Sequence, residues 1–412
     1  MQFALFPKAV RAIGSVVTLS LLGTLAVLTP AMANDSSDVD PANAPGIADR
    51  AGYTPQFTTL PATLDPRTLR RDAAGRLIAP LSVVQPPSWA GTTTSPLNRV
   101  KYDLTFLGAS PTTKGKSNIG LYMIAWRFKF ANGLTTDATK PACGDTTPVF
   151  DRVYFSPVLQ DANFSSNGTS VGSREYIDAF QTAEFAGEHF SSSWRTNFVP
   201  SPIIWFSPVI DVPASDGTAS VVGNGCVFGQ VLNSYLNALV VKEIQALQGA
   251  KGRNGFVVSH SSVAFNLLND TVSYTVTKNV KSCCIIGYHS AYGTSSYNQV
   301  YGVGAWVDGG IFGGETDVAA ISHEIGELVN DPYVNNGTPA WGHVGQVSGC
   351  QGNFEVGDPL TGTAFSYTLN GYKYHLQELA FFGWYYRESG LGTGNKYSFN
   401  GTFKTYQNTI CK

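Results

Sequence analysis

The chain has 412 residues, with 27 Lys and Arg against 29 Asp and Glu, so its formal net charge is −2. Charged residues make up 14% of the chain, well below the ~25% of an average soluble domain. This composition excludes a disordered polyampholyte, a collagen and a coiled coil. The near-neutral balance, without basic blocks, argues against a nucleic-acid partner. We therefore expect a globular protein with a core large enough to fold unaided.

Residues 1–33 have the pattern of an export signal. Lys8 and Arg11 give a positive start, residues 13–28 are mostly apolar, and residues 31–33 read Ala-Met-Ala, a small-residue cleavage site. A membrane anchor is the alternative, but the apolar run is shorter than the ~20 residues that a span needs. We expect a cleaved signal peptide, a secreted or extracytoplasmic protein, and no stable membrane insertion after cleavage.

Residues 34–98 contain nine prolines and show little periodicity. We interpret them as an extended Pro-rich leader, linker or pro-segment. Arg70 and Arg71 form a dibasic pair that is a candidate processing site.

The six cysteines fit an exported protein, because an even count in an oxidising compartment predicts disulfides. They are Cys143, Cys226, Cys283, Cys284, Cys350 and Cys411. Since Cys283 and Cys284 are adjacent, we expect each to pair elsewhere, and the sequence leaves the other pairings open.

From residue 99 to residue 412 the pattern predicts one large domain. Apolar alternation and β-branched or aromatic runs predict strands at Tyr102–Phe106, Ile119–Phe130, Arg152–Leu159, Ile203–Val212, Phe256–Leu267 and Thr271–Thr277. Helical periodicity predicts helices at Glu175–Phe190 and Phe228–Leu247. A Gly- and Tyr-rich stretch follows at 288–314. The mixture predicts an α+β fold: a single large mixed domain, preceded by the Pro-rich segment.

The segment 316–331 predicts a further helix. Thr316 and Asp317 resemble an N-terminal cap, and Pro332 disfavours helix beyond Asp331. One apolar stripe is predicted, made of Val318, Ile321, Ile325, Leu328 and Val329. The opposite side of the helix carries His323, Glu327 and Asp331 at spacings i, i+4 and i+8, with Glu324 close by.

His323, Glu324 and Glu327 form an H-E-x-x-E pattern. In H-E-x-x-H enzymes, two residues four apart on a helix bind zinc, and the Glu after the first His is the general base. A carboxylate also binds zinc, so Glu327 can replace the second His. The pattern predicts one divalent metal, zinc first, with manganese or calcium compatible with the hard oxygen ligands. The alternative is a solvated polar helix face.

A metal needs a third protein ligand, and the candidates lie downstream of the H-E-x-x-E pattern. Glu355 and Asp358 are the leading candidates, and Asp331 is a further one. His343 and His375 are weaker candidates, because lone histidines are more often core or surface residues. His260 and His289 are possible acids, bases or ligands that we interpret as structural.

The region from about residue 285 to residue 412 resembles the phosphate-induced, EXORDIUM-like secreted proteins and their bacterial relatives. The matching segments are Ser322–Glu327, Asn330–Pro332, Trp341, Glu355–Asp358, Asn370–Tyr374, Gln377 and, as a weaker echo, Gly287–Ala291. The resemblance implies an extracytoplasmic location, and the plant members are linked to cell-wall growth. The helix at 316–331 also resembles a zincin active-site helix, from which it departs at Glu327.

Two hypotheses follow from these residues. The first is an exported metal-dependent, peptidase-like hydrolase, in which His323 and Glu327 bind the metal and Glu324 is the catalytic base. Its partner would be an extracellular peptide or cell-wall polymer. The second is a non-catalytic wall- or carbohydrate-binding protein with a structural cation or none.

Overall fold

A computed structural model describes residues 53–64, 70–71, 77–78, 83–110, 115–187, 195–200, 204–223, 225–249, 257–406 and 411. The predicted signal peptide, residues 1–33, lies outside the described residues. Twenty-two strands are present in the described part of the chain. In chain order they are β1 (Gln56–Thr59), β2 (Arg70–Arg71), β3 (Leu77–Ile78), β4 (Ser88–Thr94), β5 (Lys101–Leu107), β6 (Lys116–Phe130), β7 (Thr135–Asp137), β8 (Ala162–Ser166), β9 (Thr169–Arg174), β10 (Arg195–Pro200), β11 (Trp205–Val212), β12 (Gly217–Val221), β13 (Val227–Leu232), β14 (Ser262–Asn269), β15 (Thr271–Thr277), β16 (Val280–Gly293), β17 (Asn298–Phe312), β18 (Glu315–Asp317), β19 (Gly337–Val344), β20 (Val347–Asn353), β21 (Ala364–Leu369) and β22 (Tyr372–Gln377).

Helices are fewer and shorter than the strands. They are α1 (Val149–Tyr154), α2 (Tyr176–Glu184), α3 (Asn233–Gln248), α4 (Ala319–Asn330) and α5 (Phe382–Tyr386), with short 3-10 turns at Asp358–Leu360 and Thr393–Asn395.

The prediction of an α+β domain built around a zincin-like helix is wrong. Of the described residues, 49% lie in strands and 17% in helices, and a large near-barrel sheet dominates the structure. Twelve strands form this sheet; its main path runs β10-β6-β14-β17-β16-β15-β13-β12, and β1, β7, β11 and β18 pair onto it. The helix α4 is present, but it packs on this sheet and on β22 rather than within a mixed α+β layer.

The Gly- and Tyr-rich stretch at 288–314 explains much of this difference. It belongs to two long antiparallel strands, β16 and β17, at the middle of the sheet. A Cβ atom on Gly302 would lie 2.9 Å from the ring of Phe265, and one on Gly304 would lie 3.2 Å from Ile321. These glycines therefore permit close packing against the strand.

Two buried clusters lie within this architecture. One joins α2, α4 and the aromatic C-terminal region, and contains Trp306, Trp341 and Trp384. The other packs α3 against strands that include β6, β13 and β16. Helix α4 belongs mainly to the first cluster, so its polar residues lie inside the molecule.

The described parts of residues 34–98 pack against the domain that follows. Strand β1 pairs in parallel with β16, so Phe57 lies opposite Gly287 and Thr59 opposite His289. Strand β4 forms an antiparallel pair with β5. The leader therefore contributes a strand to the main sheet, directly beside the part of β16 that carries His289.

All six cysteines lie in disulfides: Cys143–Cys226, Cys283–Cys284 and Cys350–Cys411. The prediction that Cys283 and Cys284 each pair elsewhere is wrong, since they pair with each other. Disulfides are compatible with an extracellular protein. Within the described ranges, none of the helices combines the length and apolar character that crossing a bilayer requires.

The predictions for individual strands and helices are confirmed in some places and wrong in others. The predicted strands at Ile119–Phe130 and Thr271–Thr277 are found as β6 and β15. The predicted strand at Arg152–Leu159 is wrong, because the chain there leaves α1 and enters turns. The predicted helix at Phe228–Leu247 is correct from Asn233 onward and wrong before it, because β13 extends to Leu232 and α3 begins at Asn233.

Candidate functional site

Helix α4 is buried along its whole length. All of its residues from Ala319 to Asn330 are buried, and the side chains of His323, Glu324 and Glu327 are 0–2% exposed. The predicted cap residues Thr316 and Asp317 instead belong to β18, and the helix begins after Val318. The alternative of a solvated polar helix face therefore fails, because this face points into the protein.

His323 is held in one orientation by a hydrogen bond to the side-chain amide of Gln377. Gln377 donates from Nε2 to the carbonyl oxygen of Gly357 at 2.8 Å, so its Oε1 accepts from His323 Nδ1 at 2.9 Å. The proton is thereby placed on Nδ1 and the lone pair on Nε2, which is the tautomer of a metal-ligating histidine. His323 Nε2 lies 3.0 Å from Glu327 Oε1 and 3.7 Å from Asp358 Oδ1.

Glu327 is the central carboxylate of the cluster. Its Oε1 accepts the backbone N–H groups of Gly357 (3.1 Å) and Asp358 (3.2 Å). Its Oε2 lies 3.6 Å from Nδ1 of His289. The two oxygens of Glu327 therefore face two different imidazoles.

His289 joins the cluster from β16. Its Nδ1 lies 3.4 Å from Glu324 Oε2, and its Nε2 lies 3.9 Å from Glu355 Oε2. The side chains of His289, Glu324 and Glu355 are all fully buried. The interpretation of His289 as a structural residue understates its position, because it faces three of the four cluster carboxylates.

Glu355 and Asp358 reach the cluster from the segment after β20. Asn353 donates to Glu355 Oε1 at 3.1 Å. Asp358 accepts the side-chain amides of Gln351, at 3.2 Å, and of Gln346. Asp358 has the most exposed side chain of the cluster carboxylates, at 11%, so the site opens toward solvent on this side.

The cluster contains two sets of possible metal ligands, and within each set the ligand atoms lie within 4.8 Å of one another. The sets are His289, Glu327 and Glu355, and His323, Glu324 and Glu327. Asp331 is not in either set. Its Oδ1 accepts the backbone N–H groups of Asn335 and Asn336, at 2.9 and 3.1 Å, and so closes the turn after α4.

The remaining histidines lie elsewhere. His375 forms a 2.5 Å contact with Asp317. His343 is exposed on β19, near Cys350. His260 stacks on the ring of Tyr297. None of these three contributes to the cluster formed by His289, His323 and the four carboxylates.

Burial controls the ionisation of the cluster. It raises the pKa of Glu324, Glu327 and Glu355 well above the usual range, and the negative charges of their carboxylate neighbours raise these values further. Burial likewise raises the pKa of Asp358 to about 6. It lowers the pKa of His289 to about 3, which leaves that imidazole neutral and able to bind a cation.

Two glycines leave room for the cluster. A Cβ atom on Gly357 would lie 2.3 Å from His323 Nδ1. A Cβ atom on Gly287 would lie 2.5 Å from Glu324 Cγ. Side chains at these positions would displace His323 and Glu324, so the backbone of β16 and of the loop at residue 357 is shaped around the two groups.

The leader segment covers one face of the cluster. The ring of Phe57 stacks on the imidazole of His323, with centroids 3.4 Å apart and planes 9° apart. Gln346 accepts the Phe57 N–H at 2.7 Å and donates to the Phe57 carbonyl at 3.1 Å. A depression of about 340 Å³ runs between β1 and the start of β20, with Asp358 on its wall.

The cluster fits a divalent cation. Four of its buried atoms lack a hydrogen-bond partner among the described residues: His289 Nε2, His323 Nε2, Glu324 Oε1 and Glu355 Oε2. Orphaned buried groups are costly, and imidazole nitrogens with carboxylate oxygens are ligands for zinc and manganese. Sequence reasoning underrated His289 and overlooked Phe57 and Gln346; the Gly287–Ala291 echo was the only signal for His289.

Comparisons of the chain with protein-family models, with curated proteins and with solved structures return no match.

Proposed function

We propose that the chain is an exported metal-dependent hydrolase of the peptidase-like kind, related to the EXORDIUM-like secreted proteins. The observation that carries the proposal is the convergence of two neutral imidazoles and several carboxylates, with four unpartnered atoms, in one buried cluster. The residues come from β16, α4 and the segment after β20, so only the folded chain assembles them.

A first cation would be held by His323 Nε2 and Glu327 Oε1, with Asp358 Oδ1, which lies 3.7 Å from His323 Nε2, completing the set. A bound divalent cation supplies Lewis acidity toward a scissile carbonyl and lowers the pKa of water. Zinc suits the imidazole, and manganese or calcium suits the carboxylates. The Gln377 amide fixes the imidazole that presents Nε2 to the cation.

Glu324 would be the general base. Its Oε2 faces His289 Nδ1 at 3.4 Å, whereas its Oε1 has no partner among the described residues and is free to accept a proton. Burial and the neighbouring carboxylates raise its pKa, which increases its affinity for a proton. The same atom would return the proton to the leaving group.

Substrate would approach through the depression beside Asp358, since that is where the cluster meets solvent. The walls are strand β1 and residues 346–351. We propose an extended peptide or a linear cell-wall polymer as the substrate that this depression takes. Because Phe57 covers His323, substrate access requires β1 to shift.

Metal analysis of the purified protein and one isosteric substitution test the proposal. We expect at least one tightly bound divalent ion per chain. Glu324→Gln should lower hydrolysis of a quenched-fluorescent peptide library by about 10²–10⁴-fold while the metal content stays unchanged. Glu184→Gln is the matched control, because Glu184 is a buried glutamate that accepts the Phe382 N–H outside the cluster. Absence of bound metal, or full hydrolysis by Glu324→Gln, would overturn the proposal.

The non-catalytic alternative is favoured by one observation: every cluster residue is buried, and Phe57 covers the imidazole of His323. A structural cation would sit in such a closed place while the protein binds a wall polymer through another surface. Under this alternative, Glu327→Ala lowers the unfolding temperature, and the wild-type protein hydrolyses no library peptide. Hydrolysis that disappears in Glu324→Gln would rule it out.

A further inference from the structure

Two unpartnered atoms face each other on the side of the cluster away from His323. They are His289 Nε2 and Glu355 Oε2, which are 3.9 Å apart and belong to fully buried side chains. This separation is too long for a hydrogen bond. It lies within the span of two ligands that each bind a common cation at ~2.0–2.2 Å.

The tautomer of His289 favours a ligand at this point. Its Nδ1 lies 3.4 Å from Glu324 Oε2, and the backbone of Asp331 is a second hydrogen-bond partner of the ring, whereas Nε2 has no partner among the described residues. A carboxylate beside Nδ1 places the proton there and leaves the lone pair on Nε2. The lone pair then points toward Glu355, and a second acceptor would repel it unless a cation lies between them.

Glu327 connects this location with the first cation site. Its Oε1 lies 3.0 Å from His323 Nε2, whereas its Oε2 lies on the side of His289, 3.6 Å from Nδ1. Glu327 is shared by the two sets of ligand atoms, one with His323 and Glu324 and one with His289 and Glu355, and a carboxylate shared in this way is suited to bridging two cations, as in two-metal hydrolytic sites.

The charge of the cluster supports two cations. Glu324, Glu327, Glu355 and Asp358 carry four negative charges when ionised. The charges that shift the pKa values of these four carboxyl groups include those of their carboxylate neighbours and of His323. One divalent cation would balance two of these charges, and the other two buried carboxyl groups would have to keep their protons. Two divalent cations balance all four.

We propose that His289, Glu355 and the second oxygen of Glu327 form a second divalent-cation site, and that Glu327 bridges it to the first. The ligand is a first-row divalent cation such as Mn²⁺ or Zn²⁺. The inference rests on the proposed function for the first cation. It gives His289 a binding role that the H-E-x-x-E motif does not supply.

The test is the number of cations per chain. The full chain is stripped of metal with a chelator and titrated with Mn²⁺, with calorimetry and elemental analysis giving the stoichiometry. We expect two Mn²⁺ per wild-type chain. We also expect an electron paramagnetic resonance spectrum of a magnetically coupled pair, rather than that of isolated Mn²⁺.

Variants assign the second site. Glu355→Gln should retain one Mn²⁺ per chain and show the uncoupled spectrum, and His289→Asn should behave in the same way. Glu184→Gln, the control outside the cluster, should bind two. Circular dichroism establishes that each variant is folded; the wild-type stoichiometry and spectrum stand independently of the variants.

The outcomes separate the two proposals. One uncoupled Mn²⁺ per wild-type chain would overturn the second site and leave the hydrolase proposal standing. No bound Mn²⁺ or Zn²⁺ would overturn both. Two coupled ions that persist in Glu355→Gln and His289→Asn would place the second cation elsewhere and overturn the assignment to these residues.

Discussion

The substitution Gly357→Ala tests whether the cluster depends on the fixed position of His323. The backbone at Gly357 has φ −89°, a conformation that alanine adopts without strain. The added Cβ would lie 2.3 Å from His323 Nδ1 and 2.5 Å from its Cε1, whereas ordinary contacts are about 3.5–4.0 Å. The imidazole must therefore move by roughly 1 Å, which breaks its hydrogen bond to Gln377.

The size of the effect follows from the clash. Overpacking of a filled interior costs about 1–3 kcal/mol, and every ~1.4 kcal/mol is a tenfold change in an equilibrium constant. If the displaced imidazole loses its cation, the Kd for that cation should rise by about 5- to 150-fold. Calorimetric titration of the metal-free protein with Zn²⁺ measures this value, and urea unfolding without metal measures the stability cost.

Gly349→Ala is the matched control, because a Cβ atom there meets nothing within 4 Å. It should leave both the Kd and the unfolding free energy unchanged. If Gly357→Ala also leaves both unchanged, His323 tolerates displacement, and the argument from a fixed imidazole fails.

Three further predictions concern the ring of Phe57, the buried carboxyl group of Glu175 and the Cys143–Cys226 disulfide. Phe57→Ala removes a ring stacked on His323. Because such stacking is worth ~0.5–1.5 kcal/mol, a chelator should remove the bound cation about 2- to 12-fold faster from this variant. Phe155→Ala, at a residue 42% exposed, is the control and should not change the rate. Burial raises the pKa of Glu175 to about 8, so between about pH 5 and pH 8 the native state holds a proton that the unfolded chain has lost. The unfolding free energy should therefore fall as pH rises, by up to about 1.4 kcal/mol per pH unit, and Glu175→Gln should flatten this slope in urea titrations. The Cys143–Cys226 disulfide spans 83 residues; replacing both cysteines by alanine should lower the unfolding free energy by about 2–5 kcal/mol, and an unchanged denaturation midpoint would contradict this.

The sequence predicted which residues come together in the cluster better than it predicted their surroundings. The spacing of His323 and Glu327 placed both on one helix face, and the structure keeps them 3.0 Å apart. Glu355 and Asp358, chosen only as nearby carboxylates, are brought to the same place by the turn after β20. Asp331 was also proposed, but the helix ends before it and its side chain closes a turn. Helical spacing is local, so it can be read from sequence.

The fold, and the packing of Phe57 over His323, depend on contacts between distant parts of the chain, which local sequence patterns do not encode. The glycine content around residues 302 and 304 does not indicate a long central strand, but in the sheet these two glycines make space for Phe265 and Ile321. Amphipathic periodicity indicates an exposed face opposite the apolar stripe of α4, but β16 and the loop at residue 357 bury that face as well. Phe57 and His323 are separated by more than half of the chain, so no spacing rule connects them.

The way β1 is attached has a consequence for a chain that is cut in the leader. All six cysteines lie at residue 143 or later, so no disulfide would hold a fragment released by cleavage between Arg70 and Arg71. That fragment would be retained by non-covalent contacts, among them the backbone ladder to β16, the hydrogen bonds to Gln346 and the stacked ring. Its retention would then depend on concentration rather than on the chain connection. Dilution of the cleaved protein would dissociate the fragment and expose the imidazole of His323, whereas dilution of the intact protein would leave that imidazole covered.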